Sequence, residues 1–260
     1  MVIPEEAYLA YAAATAFYLA LGAVHWVLGR RYSALQYFED ALMVMVYIFV
    51  VLLIEDLVYE VSSYMGVRFP GNGVEKDLLA AASIFDNARE FAIKWILAIS
   101  SFRAALSLTP ITSPLSYVLG SATSWSMTVF DICAINFLFY SAVTKVFSEY
   151  YPIILSIGAV LTPIPRLRNI GGALLSVAMV YTPTLLYYAH LVQASLSMLP
   201  QPPSINPVDW VNIAALASDA AIPLAELFVR GLVAVSLAGI VAAGLSRILS
   251  GMYTYMRLGV

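Results

Sequence analysis

From Asn169 to Val208 the chain reads NIGGALLSVAMVYTPTLLYYAHLVQASLSMLPQPPSINPV, 40 residues without one Asp, Glu, Lys or Arg. A charge at mid-bilayer costs several kcal/mol, and about 20 predominantly apolar residues suffice to cross as a helix. The run therefore predicts a membrane segment over about 170–198. The turn-forming string Pro200-Gln201-Pro202-Pro203-Ser204-Ile205-Asn206-Pro207 stops it.

Working outward, the same criterion divides the whole chain. Of 260 residues, 62% are hydrophobic and 11% charged, against roughly 45–50% and 25% in soluble domains. A soluble globule of this size cannot hide so much apolar surface, so the composition selects the polytopic membrane class. A net charge of −3 from scattered residues argues against a nucleic-acid-binding surface. The one cysteine, Cys133, excludes an internal disulfide framework and a thiolate metal cluster.

Ala7–Gly29 (23 residues) and Ala104–Phe130 (27) are also long enough alone. Ala41–Ile54 (14), Ile132–Thr144 (13), Tyr150–Pro165 (16) and Gly231–Ser246 (16) are too short and must recruit charged neighbours or stay partly inside the protein. The expected fold is all-α, a single transmembrane helix bundle over 1–260 with six to seven membrane segments. These lie at about 7–29, 41–59, 86–108, 114–144, 150–165, 170–198 and 222–248, with an interfacial helix at about 209–221. The start, Met1-Val2-Ile3-Pro4-Glu5-Glu6, has no basic region ahead of its apolar run, so no cleaved secretory signal is expected. Arg30 and Arg31 place the end of the first segment in the cytoplasm and the N-terminus outside. Arg166, Arg168, Arg247 and Arg257 also read as cytoplasmic, and the 200–208 loop, without Lys or Arg, as external. All three placements agree only if 150–165 crosses or re-enters.

The third segment is amphipathic. At 100° per residue Asp86, Glu90, Lys94 and Ser101 share one arc, either a stripe packed inside the bundle, with Glu90 and Lys94 paired, or the lining of an aqueous path. Segment four carries hydroxyls and small residues suited to close helix packing, and an isolated Asp131 that must be protonated, paired or wet. Glu226 and Arg230, four apart, read as a clamp at the mouth of the last span.

Several chemistries are absent. There is no G-x-x-x-x-G-K-[ST] nucleotide loop, no H-E-x-x-H and no G-x-S-x-G. His25 and His190 stand singly in apolar segments. No enzyme activity, cofactor or metal is expected.

Gly158–Tyr181, GAVLTPIPRLRNIGGALLSVAMVY, reads as a rigid hairpin. Pro163 and Pro165 stop one apolar segment, Arg166 and Arg168 anchor a cytoplasmic turn, and Gly171-Gly172 lets the returning helix pack closely. This order of residues resembles the archaeal DNA-import membrane proteins of the CedA family, which look like the polytopic TrbL-type channel subunit of bacterial type IV secretion and conjugation machines. Thr162 stands where that family has an arginine, and Pro183 is a displaced counterpart of its proline after the tyrosine. The resemblance implies an integral component of a machine that moves single-stranded DNA inward across the cell membrane. It implies a HerA-like ATPase as motor, small membrane pilin-like subunits as partners, and a homo-oligomer. The alternative from the residues alone is a secondary transporter or small-solute channel using Asp131 and Glu90/Lys94. A third is a structural pilus-base or assembly protein in which every charged pair is a packing clamp.

Overall fold

The computed structural model describes residues 5–64, 73–162, 164, 167–203 and 212–258, and they form helices with no strand among them. The helices are α1 (Glu5–Val27), α2 (Arg31–Tyr64), α3 (Val74–Ser107), α4 (Ser113–Leu161), α5 (Arg168–Leu196) and α6 (Ile213–Leu258). Their ends follow local chemistry. Gly29 takes the left-handed φ of 74° that ends α1, with Gly29 N–H donating to Trp26 O (3.1 Å) and Arg30 N–H to His25 O (3.0 Å), the paired bonds of a Schellman turn. Asn212 accepts the first backbone bond of α6 from Leu216 (2.9 Å), a position Asn favours. Pro114 lies in the first turn of α4, where its missing N–H costs nothing.

Two expected boundaries are absent. Segments 114–144 and 150–165 are one helix, α4, of 49 residues. Lys145 and Glu149 interrupt the apolar run without interrupting the backbone, and Pro152 is carried inside the helix. The expected interfacial helix and last span likewise merge into α6, with Pro223 inside it and residues 209–211 outside the described set. A charge breaks hydropathy, and a helix ends only where its hydrogen-bond ladder ends. α2 and α3 also start earlier than expected, at Arg31 and Val74.

Among the described residues three helices are long and apolar enough to cross a membrane: α4, α5, and α6 as far as Ser250. This is fewer than the six to seven expected. Tyr11–Val27 is a shorter apolar stretch.

The helices divide into two compact units: unit 1 is Met1–Asp77, Phe147–Thr184 and Val235–Val260, and unit 2 is Leu78–Val146 and Leu185–Ala234. In unit 1, α1 and α2 form a hairpin in which a Cβ on Gly22 would come within 2.8 Å of the Phe38 ring, while His25 and Tyr37 lie ring to ring at 5.1 Å. The start of α3 is tied in at two points. Tyr59 O–H donates to Asp77 Oδ2 (3.1 Å), and Ser148 Oγ donates to Glu75 O (2.7 Å). In unit 2 the core is aromatic. Trp95 stacks on Phe130 (5.6 Å, 8°), and Phe85, Tyr140 and Tyr188 form a triangle of rings 4.9–5.6 Å apart.

Candidate functional site

The expected polar stripe of α3 divides. Asp86 is partly buried and pairs across to Lys145 of α4 (2.7 Å), a partner not expected from the sequence. Glu90 and Lys94 pair with each other at 3.7 Å as expected, but on the outside, with 65% and 64% of their side chains exposed. Ser101 and Asp131 are exposed as well. Asp131 joins no ion pair among the described residues. On a helical wheel Asp86 lies 40–80° from the other three stripe residues. The face buried against α4 therefore reaches Asp86 and leaves the others outward.

In water the Glu90–Lys94 pair contributes about 0.3–0.5 kcal/mol. The same pair exposed to lipid would be strongly unfavourable. Glu226 and Arg230 also pair (2.5 Å), well inside α6 rather than at a helix mouth, because α6 begins at Ile213.

The second constellation belongs to unit 1 and centres on the hairpin. Pro163, Pro165 and Arg166 lie outside the described residues. Thr162 is fully buried and donates its hydroxyl to Gly158 O (2.6 Å), closing the end of α4. A Cβ on Gly171 would fall 2.5 Å from Thr162 N and 2.7 Å from Gly158 O. No side chain fits there. One residue on, a Cβ on Gly172 would lie 3.1 Å from Ser246 O and 3.3 Å from Ser250 N. The paired glycines therefore serve two neighbours, Gly171 the end of α4 and Gly172 the far part of α6.

Arg168, expected only as a turn anchor, is partly buried at the first position of α5. Its charge reaches Tyr18 of α1, as does that of Asp40 of α2. Asp40 and Tyr18 were not singled out by sequence. The available signal was Asp40's place at the edge of the 14-residue run Ala41–Ile54, where an ionisable group needs a partner.

Unit 1 is electrically polarised. The α1–α2 turn carries exposed Arg30 and Arg31, the latter over the Trp26 ring at 5.9 Å. Asp40 is only nine residues from Arg31, about 14 Å along α2. Arg168, which acts on the same tyrosine, therefore lies toward the Arg30–Arg31 end. Arg247 lies between Ser246 and Ser250, beside Gly172, and so toward that end too. Glu39 and Asp40 are the acids there. Toward the opposite end, among the described residues, lie Asp56, Glu60, Glu75, Asp77 and Glu149, with Lys76 beside them.

Among the described residues no three His, Cys, Asp or Glu side chains are grouped to hold a metal. Comparison with protein-family models, with curated proteins and with solved structures gave no match.

Proposed function

We propose that the protein is a multi-pass channel or scaffold subunit of a DNA-transfer apparatus in the cell membrane, with its N-terminus outside. In this reading it is not an enzyme. A HerA-like ATPase supplies the energy, small membrane pilin-like subunits assemble with it, single-stranded DNA is the cargo, and the subunit works as a homo-oligomer.

The observation that supports this reading is the Gly158–Tyr181 hairpin. The glycines that carry the family resemblance, Gly171 and Gly172, occupy positions where a side chain meets backbone, so the resemblance lies in residues with a defined packing task. The few basic residues are also compatible, since a conduit must let phosphates pass, whereas a stationary binder neutralises many at once. The second reading is a secondary transporter or small-solute channel using Asp131 and the Glu90–Lys94 pair.

The test is deletion of the gene followed by a marker-exchange assay in the host. DNA uptake is expected to fall to background and to return with the gene supplied in trans. Undiminished uptake in the deletion strain would sink the proposal.

A further inference from the structure

The turn between α1 and α2 combines two features that neither water nor hydrocarbon accommodates. Trp26, Val27, Leu28 and Tyr32 are each more than half exposed, an apolar surface that is unfavourable in water. Arg30 and Arg31 stand among them, both exposed and in no ion pair among the described residues. A guanidinium is strongly unfavourable in hydrocarbon. The boundary between the two media suits both features, and Trp and Tyr rings are enriched there for the same reason.

The turn is held in one shape. Leu28, Gly29 and Arg30 are all that separate the two helices, and their N–H groups donate to Val24 O (3.0 Å), Trp26 O (3.1 Å) and His25 O (3.0 Å). Arg30 O accepts from the N–H of Ala34 (3.0 Å), itself fully buried. One turn farther into the hairpin, Phe38 fits against Gly22 and Tyr37 against His25. The Arg31 guanidinium lies 5.9 Å from the centre of the Trp26 ring, a contact that positions the cation without neutralising it. Two guanidiniums are thus adjacent and still without counter-charge. Each offers a planar fork of donors that matches a phosphate bidentately.

The α3–α4 turn shows what the arginines add. Leu108 and Ile111 are exposed there too, but 108–112 holds no charged residue. An apolar tip alone has no preference for one headgroup over another.

We propose that the α1–α2 turn is a docking surface for anionic lipid, with Arg30 and Arg31 holding headgroup phosphates while Trp26, Val27, Leu28 and Tyr32 seat in the membrane boundary beside them. The negative potential of an anionic leaflet attracts cations placed just outside the hydrocarbon. The inference rests on the membrane reading and not on the DNA-transfer one.

The test uses full-length protein purified in a neutral detergent, its melting temperature followed as lipid is titrated into the micelles. Phosphatidylglycerol is expected to raise the melting temperature, because a ligand of the native state stabilises it. Phosphatidylcholine, whose headgroup carries its own cation, should do so far less. The double variant R30Q/R31Q changes exposed side chains only, so without lipid it should melt with the wild type. The phosphatidylglycerol it needs for the half-maximal shift should rise about 30-fold. Lys76→Gln removes an exposed cation elsewhere and should leave the titration unchanged. Equal responses to the two lipids, or an unaltered titration in the double variant, would overturn the proposal. So would an equal shift from inorganic phosphate or from an oligothymidine strand at matched phosphate concentration, which would make the turn a site for small anions or for nucleic acid. The membrane reading fails separately, if alkaline carbonate without detergent releases the chain from host membranes.

Discussion

In unit 1 the tightest helix approaches are made by removing side chains. Gly171 sits against the backbone of Thr162 and Gly158, and Gly172 against that of Ser246 and Ser250. In unit 2 they are made by filling space with rings: Trp95 on Phe130, the Phe85–Tyr140–Tyr188 triangle, and Tyr188 O–H donating to Leu227 O at 3.2 Å. The close glycines of unit 2 face side chains, Gly231 the Tyr188 ring at 2.5 Å from an added Cβ and Gly120 the Arg103 guanidinium at 2.8 Å, as Gly22 of unit 1 faces the Phe38 ring. The two styles rest on different physics. In lipid, burying apolar area gains nothing, so association relies on close backbone approach and van der Waals contact. Where water is the alternative, a buried ring contributes its full transfer free energy.

The largest effect is expected at a ring. Trp95 is fully buried between α3 and α4, and Trp95→Ala should cost about 3–5 kcal/mol, read as a fall in thermal stability of the purified protein. A variant that melts with the wild type would mean that the rings do not hold unit 2.

Next comes Gly171→Ala. One methyl group placed 2.5 Å from a backbone nitrogen cannot be relieved by a rotamer change, and about 1–3 kcal/mol or more should be lost. Gly244→Ala is the matched control, because an added Cβ there meets nothing within 4 Å. That substitution should stabilise α6 by about 0.5–1 kcal/mol through helix propensity. Equal effects of the two in the same melt would show that the glycines of unit 1 are interchangeable helix residues.

The helical class was legible from charge-free runs, and the close packing of Gly171 and Gly172 from their adjacency after a proline turn. The partition into units was not. Hydropathy along the chain treats Lys145 and Glu149 as the end of a segment, whereas the helical backbone of α4 includes both. The Asp86–Lys145 pair was hidden because its partners are 59 residues apart, and sequence spacing reveals only pairs three or four apart on one helix, such as Glu90–Lys94 and Glu226–Arg230. Asp40 escaped for the same reason, since Tyr18 and Arg168 come from two other helices. Arg168 was visible, but its turn toward the interior depends on the depth at which α4 ends, and the sequence placed that end by prolines alone.

The smallest expected effect lies where the chain leaves unit 1. Asp77 is buried, accepts from Tyr59 through Oδ2, and has no partner for Oδ1 among the described residues. Burial raises its pKa above the ordinary carboxylate value, and the Tyr59 bond only partly opposes this. A raised folded-state pKa means that the native fold favours the neutral acid. The resulting stabilisation is complete below the unfolded value of about 3.9 and is lost as pH rises through the folded one, so at neutral pH a carboxylate is held where it is poorly solvated. Asp77→Asn keeps an acceptor for Tyr59 and carries no charge at any pH. It should therefore melt slightly above the wild type at pH 7, with the gap closing as pH falls toward 4. Taking the difference between the two proteins cancels the other carboxylates, which titrate in both. A gap that widens on acidification would mean that the Asp77 carboxylate is paired in the native state, and that this junction is held by charge rather than by a buried acid.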